Sequence, residues 1–384
     1  MKKRALCFLT GLFAVLIFSG CNSVLPTQDE VPEKGKLKVG LYVDRGSSGG
    51  GLMHWAAIAE FSPQAELVTL TGEDVRNGKL KDVHVVIMPG GYPTRQLGTL
   101  KPEGIEIFRQ WIKDGGAYVG SCAGLATALS HKSRLRLLPF YRRANSGGTP
   151  AMVKIMVNER GAELMGVKPG LRKVKYACGS IPTPAKVADK TRTGEVLAIY
   201  KCSIGSSGKE QRGFYDLPSL VYGTLGKGKA IASSYHPEYL ESSLDLAVGM
   251  IYAVTGVKLT PQFPVKDRRP IRLGFCTSAV KGHYPVRECM KLEHQKHIDV
   301  RYFMLPDIDD GELNHIDVLI LPDGIAESNR SFFRRSSRWA MLKKFMDRGG
   351  IILASGNAAK PLPEHKNLKK FPAGADFSKY LADK

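Results

Sequence analysis

The feature that most constrains this chain is an internal repeat. Leu37–Val43 (LKVGLYV) is echoed by Ile271–Thr277 (IRLGFCT), and Val85–Gly91 (VVIMPGG) by Val318–Gly324 (VLILPDG). Phe108–Gly116 (FRQWIKDGG) returns as Leu342–Gly350 (LKKFMDRGG), and Ala117–Gly124 (AYVGSCAG) as Ile351–Ala358 (IILASGNA). The offset, 234 positions from Leu37 to Ile271, stays within one position for every pair, which marks a duplicated unit. In each copy continuous apolar runs alternate with helical stretches. Apolar runs without polar alternation are strands covered on both faces, and strands alternating with helices imply a parallel sheet with right-handed crossovers. The predicted fold class is α/β, one full parallel-sheet domain followed by a truncated, degenerate repeat of the same unit.

The first copy continues through runs ending at Tyr176, Tyr200, Tyr222 and Tyr235 and closes with a helix near Leu244–Thr255. These landmarks place a full domain at 37–260, a linker at 261–269 (PQFPVKDRR) and the half-repeat at 270–360. The tail, 361–384, is basic and rich in Lys and Pro and is expected to be loosely ordered.

Residues 1–21 read as a leader rather than as fold. Lys2, Lys3 and Arg4 precede a short apolar run from Ala5 to Phe18, and Ser19-Gly20 then sets small residues before Cys21. The run is too short for a comfortable membrane span and fits a secretory signal. Small residues followed by cysteine resemble a bacterial lipobox, although Phe18 stands where Leu is usual. That resemblance implies lipidation of Cys21 and anchorage in the cell envelope; Asn22 in place of Asp implies the outer membrane, facing the periplasm or the cell surface. Residues 22–36 are polar, carry two prolines and read as a tether. Export also bears on the cysteines. Cys122, Cys178, Cys202, Cys276 and Cys289 remain in the body, an odd number, so at least one thiol stays free. A Cys178–Cys202 bridge and two free thiols are both open readings.

The formal charge is +20, and about +17 without the three basic residues of the leader. Such a field favours anionic surfaces. No nucleic-acid partner is expected, because neither zinc spacing nor a basic–aromatic RNA-binding motif is present. No P-loop is present, and no cofactor or metal is expected.

Gly120-Ser121-Cys122-Ala123-Gly124 follows a strand and opens a small-residue helix. This is the pattern of a nucleophile elbow, in which glycines on either side admit a turn too tight for side chains. Cys122 would point out at the carboxyl edge of the sheet and lie at a helix N-terminus, which favours a thiolate. His236-Pro237-Glu238 follows a later strand directly. His236 is the base that can take a thiol proton near neutral pH, and Glu238 can fix its tautomer. Pro89-Gly90-Gly91 ends the preceding strand, so the backbone N–H groups of Gly90, Gly91 and Ala123 can form an oxyanion hole.

Together these motifs resemble class I glutamine amidotransferase domains over about 37–257. More narrowly they look like the amino-terminal domain of biotin–protein ligases. The matching pieces are MPGGYPTRQL (88–97), GGAYVGSCAGLATAL (115–129), VKYACGSIP (174–182) and GKGKAIASSYHPE (226–238). In the third, Cys178 stands where Gly is usual and Ser180-Ile181 breaks a Gly-Pro. The resemblance implies a flavodoxin-like three-layer fold, with Cys122 as nucleophile, His236 as base and Glu238 as third member of the triad. In the second copy Gly356 aligns with Cys122, Asp323 with Gly90, and no His-Pro-Glu follows, so that copy is expected to carry no such chemistry.

Biotin ligation is not expected, because no ligase domain and no Gly-Arg-rich adenylate loop are present. A true amidotransferase feeds ammonia to an ATP-driven synthetase, and ATP is scarce outside the cytoplasm. The expectation is a cysteine-nucleophile hydrolase or transferase acting on an amide, ester or peptide. The alternative is a non-catalytic ligand-binding or scaffold lipoprotein that keeps the fold. The expected partners are a small-molecule or peptide substrate, the membrane through Cys21, and anionic envelope polymers.

Overall fold

Consecutive apolar residues in a strand must send their side chains to opposite faces, so each face needs its own cover. The computed structural model describes residues 35–47, 49–143, 151–185, 191–202, 214–277, 286–303, 311–323, 336–373 and 375–382. In chain order the first copy runs β1 (Leu37–Tyr42), α1 (Gly49–Glu60), β2 (Ala65–Leu70), α2 (Gly72–Arg76), β3 (Val85–Met88), α3 (Pro93–Lys113), β4 (Ala117–Ser121) and α4 (Ala123–Ala128). It continues with β5 (Phe140–Arg142), β6 (Ala151–Val157), α5 (Glu159–Met165), β7 (Gly170–Tyr176), β8 (Pro182–Pro184), β9 (Glu195–Tyr200), β10 (Pro218–Leu225), β11 (Gly228–Ser233) and α6 (Leu240–Thr255). Val85 and Ile87 of β3 join one core with α1 and α6, including Trp55, Ile58, Met250 and Ile251. Val86 and Met88 join the other with α3 and α4, including Leu100, Phe108, Ile112 and Leu125. Burying each such side chain contributes about 1.5–3 kcal/mol, so this alternation along one strand holds two helical layers to the sheet. The result is a flavodoxin-like three-layer α/β fold.

The sheet has nine strands in the order β2-β1-β3-β4-β11-β10-β9-β6-β7. The first five are mutually parallel. From β11 outward the pairings are antiparallel. The short turn between Leu225 and Gly228 explains the change, since two residues can close a hairpin but not a parallel crossover. β5 and β8 form a separate two-stranded ribbon.

The second copy contains β12 (Ile271–Cys276), α7 (Val286–Glu293), β13 (Ile298–Phe303), β14 (Val318–Leu321), α8 (Ser336–Asp347), β15 (Ile351–Ser355), α9 (Gly356–Ala359), β16 (Leu368–Phe371) and α10 (Phe377–Ala382). Its sheet order, β13-β12-β14-β15-β16, is all parallel and reproduces the parallel half of the first. The tail corrects the expectation of loose order. It supplies β16, paired with β15, and a final helix whose Phe377 and Leu381 are buried while Lys369 and Lys370 point to solvent.

α1 is the seam between the copies. The Phe61 ring packs on His294 at 4.8 Å and on Phe263 at 5.7 Å, and His294 Nε2 meets Glu60 Oε1 at 2.8 Å. Gln262 donates its N–H to Phe61 O at 2.8 Å, and Lys266 Nζ reaches Glu293 O at 2.6 Å, so the linker is tied at both ends. One apolar core runs from α1 and α6 into β12, α7 and β13.

Candidate active site

β4 lies between β3 and β11, with Gly120 level with Met88 on one side and with Ala232 on the other. The three strands are parallel, so the residues that follow them emerge at one edge: Pro89 to Gly91, Cys122, and Ser234 to Glu238. This is where open α/β sheets place ligands.

Cys122 has φ 54° and ψ −103°, a conformation that costs an L-residue roughly 1–3 kcal/mol and persists only where the surroundings fix it. Its N–H donates to Ser233 O at 2.9 Å, and α4 starts at the next residue. The turn leaves no room for a side chain at Gly124, whose Cβ would overlap Met88 O. The Cys122 thiol donates to Ala177 O at 3.5 Å.

His236 arrives from the other side. Its N–H donates to Lys175 O at 2.8 Å, clamping the main chain after β11 to the end of β7. Its Nδ1 meets Glu238 Oε1 at 2.7 Å, while Cys122 engages the imidazole as well. Gly90 lies against both groups: a Cβ there would stand 2.6 Å from His236 Cε1 and 3.5 Å from Cys122 Cβ. The structure therefore brings Cys122, His236, Glu238 and Gly90 into one cluster. Burial pushes the His236 imidazole down, but the Glu238 carboxylate and the Cys122 sulfur outweigh it and raise it to about 10. The groups on either side of the ring favour its protonated form.

Glu238 is fully buried, and its Oε1 takes a second hydrogen bond, from Ser121 Oγ at 3.2 Å. Ser121 Oγ in turn accepts from Trp55 Nε1 at 3.1 Å. Gly51 on α1 leaves space for this carboxylate, since a Cβ there would overlap Glu238 Oε1. Neither Ser121 nor Trp55 stands out in the sequence. Ser121 sat inside the elbow motif as its variable residue, and Trp55 reads as ordinary core in an apolar helix.

Among the described residues, the N–H groups of Gly90, Gly91 and Ala123 donate to no acceptor. The peptide before Gly90 is fixed, because buried Gln96 Nε2 holds Pro89 O at 3.0 Å. Unspent donors beside Cys122 are what an oxyanion hole requires.

The second copy contributes one wall. Tyr302 on β13 packs edge-on against His54 at 4.9 Å; His54 meets Tyr239 at 4.8 Å, and Tyr239 meets His236 at 5.6 Å. Burial, then the nearby His236, lowers His54 to about 4, so it adds no second positive charge beside His236. Cys178 is exposed and Cys202 is half-buried. Cys21 lies outside the described residues. No helix among the described residues is long and apolar enough to cross a membrane.

No family model and no curated protein matches the chain. Solved structures do. A putative ThuA-like protein from Bacteroides uniformis is 16% identical with a TM-score of 0.41, over 58% of this chain and 92% of that one. PurLQS from Thermotoga maritima is 16% identical with a TM-score of 0.41, over 56% and 98%. A β-galactosidase from Bacillus circulans sp. alkalophilus is 15% identical with a TM-score of 0.39, over 62% of this chain but only 33% of its own length.

Proposed function

We propose that this protein is a cysteine-nucleophile hydrolase or transferase acting on an amide, ester or peptide bond. The observation that carries the reading is Cys122 on a strained elbow, facing a His236 whose far nitrogen is bonded to buried Glu238 at 2.7 Å. The Cys122 thiolate attacks the substrate carbonyl, and a C–S bond forms as the carbonyl electrons move to oxygen. The N–H groups of Gly91 and Ala123 receive that oxyanion. His236 gives its proton to the leaving group as the old bond breaks, leaving a thioester on Cys122. Water or an acceptor nucleophile then loses a proton to His236, attacks the thioester and releases the acid or transferred product, with the thiolate restored. Glu238 steadies the imidazolium throughout.

The closer tie to the amino-terminal domain of biotin–protein ligases, without its ligase half, is supported by the motifs at 88–97, 115–129 and 226–238. Export and a lipid anchor at Cys21 are supported by the leader sequence, and they place the reaction in the cell envelope. Reaction of the purified protein with iodoacetamide, followed by mass mapping, tests the catalytic reading. Cys122 should be labelled before exposed Cys178; labelling of Cys178 and Cys202 with Cys122 left unmodified overturns it.

A further inference from the structure

The antiparallel half of the large sheet carries an outer face that extends beyond the site. The register of β6 and β7 pairs Met152 with Lys175, Lys154 with Lys173 and Met156 with Leu171. Side chains alternate along a strand, so these six share one face, while Val153, Ile155, Val157 and Val174 go to the core. β9 extends the face, with Ile199 opposite Met156 and with Lys201 N–H bonded to Lys154 O at 2.8 Å. Lys173, Lys154 and Lys201 thus form a cross-strand row. Lys201 is answered by Asp216 at 2.5 Å; among the described residues Lys154 and Lys173 make no ion pair.

Like charges directly opposite each other destabilise a sheet. Beside them Met152 is 52% exposed and Leu171 56% exposed. A face at once basic and apolar matches an anionic bilayer, whose headgroups neutralise lysines and whose acyl boundary accepts Met and Leu. A soluble polyanion would answer the lysines and leave the apolar residues in water.

We propose that the outer face of β6 and β7 docks the protein on an anionic membrane surface. The face leads into the candidate active site: Lys175 gives its carbonyl to His236 N–H, and Ala177 gives its own to the Cys122 thiol. Docking holds the mouth of the site beside the bilayer, so the bond it cleaves is one presented at that surface. This last step rests on the function proposed above; the docking does not.

The test uses the chain from Asn22 onward, which keeps every described element and lacks the leader and Cys21. It is sedimented with vesicles of phosphatidylcholine alone or with about one-third phosphatidylglycerol. Binding is expected only to the anionic vesicles. Lys154→Gln with Lys173→Gln should lower partitioning about 30-fold, at about 1 kcal/mol per lysine. Met152→Ser with Leu171→Ser should weaken vesicle binding too, while leaving binding to soluble polyphosphate unchanged. Unchanged melting temperatures show that both variants fold. Equal binding to neutral vesicles, or lysine variants that bind like the parent, overturns the proposal. An apolar variant that binds vesicles like the parent, with polyphosphate displacing all binding, identifies a polymer site and overturns it too. Iodoacetamide labelling of the same samples separates the two readings: docking with an inert Cys122 defeats the catalytic reading alone, and a reactive Cys122 without docking defeats the membrane reading alone.

Discussion

In the first copy β4 turns into α4 through Cys122 at φ 54°, and in the second β15 turns into α9 through Gly356 at φ 51°. The two residues share a left-handed φ; what surrounds them differs. Asp323, in the place of Gly90, accepts the N–H of Asn357 at 2.7 Å, the donor that corresponds to Ala123. A Cβ on Gly356 would overlap that carboxylate. The second copy has therefore put its own anion where the first keeps unspent donors beside a thiol. The positive-φ turn belongs to the repeated unit, and the side chains gathered around it differ between the copies.

The largest expected effect separates the copies outright. His236→Asn should slow alkylation of Cys122 at neutral pH by roughly 100-fold or more, the scale of a lost general base. Asp323→Ala should leave that rate unchanged. Iodoacetamide time courses read by mass spectrometry measure both, and an equal loss in the two variants would mean that the copies act as one site.

The pH dependence of stability sharpens the same contrast. Against the push of burial, Glu238 and Cys122 raise His236 from 6.5 to about 10. A group raised in the folded state stabilises fully below its unfolded value, and the contribution disappears as pH climbs through the folded value. Urea unfolding should show the parent losing a few kcal/mol between about pH 6.5 and 10, and Glu238→Gln losing less. Parallel curves for the two proteins would show that the pair contributes nothing to stability.

Ending the chain at residue 260 removes the cover of α1 supplied by Tyr302, His294 and Phe263. Re-exposing that seam should cost about 2 kcal/mol or more and lower the melting temperature by roughly 5 °C or more. An unchanged melting temperature would make the second copy an independent appendage.

Much of this contrast was legible in the sequence, for physical reasons. β1, β3, β4 and their echoes are buried on both faces and so read as unbroken apolar runs. The glycines of the elbow and the His-Pro-Glu turn punctuate the chain where the backbone needs them. The edge strands were not legible: β2 (AELVTL) and β13 (IDVRYF) mix polar and apolar residues because one face meets solvent. β16 (LKKF) hid in a basic tail, since only its ends face inward. The replacement of Gly90 by Asp323 was visible, but its bond to Asn357 was not. His54 and Trp55 sit in GGGLMHWAAIAE, a helix so apolar all round that no residue stands out.

Within the second elbow, Gly356→Ala meets both a positive φ and the Asp323 carboxylate and should cost about 1–3 kcal/mol. In an Asp323→Gly background the same change should cost less, because the clash is gone while the backbone strain remains. A double-mutant cycle by urea unfolding gives the coupling. Strictly additive costs would mean that the carboxylate moves aside freely.

The smallest effect concerns the residue before each elbow. Ser121 ends β4 and Ser355 ends β15, and both are buried. Ser121 donates to Glu238 Oε1 at 3.2 Å and accepts from Trp55 at 3.1 Å, so it holds the carboxylate that holds His236. Ser355 has no triad carboxylate to hold. Hydrogen bonds to charged groups are worth about 1.5–3 kcal/mol, and this one is long, so about 1 kcal/mol is expected. Ser121→Ala should then slow Cys122 alkylation about 5-fold, and Ser355→Ala should not change it. Stability alone does not discriminate, because either change leaves a small void. The alkylation rate does: if both alanines slow it equally, the serine serves the packing of the elbow and Glu238 is positioned by Gly51 and His236 alone.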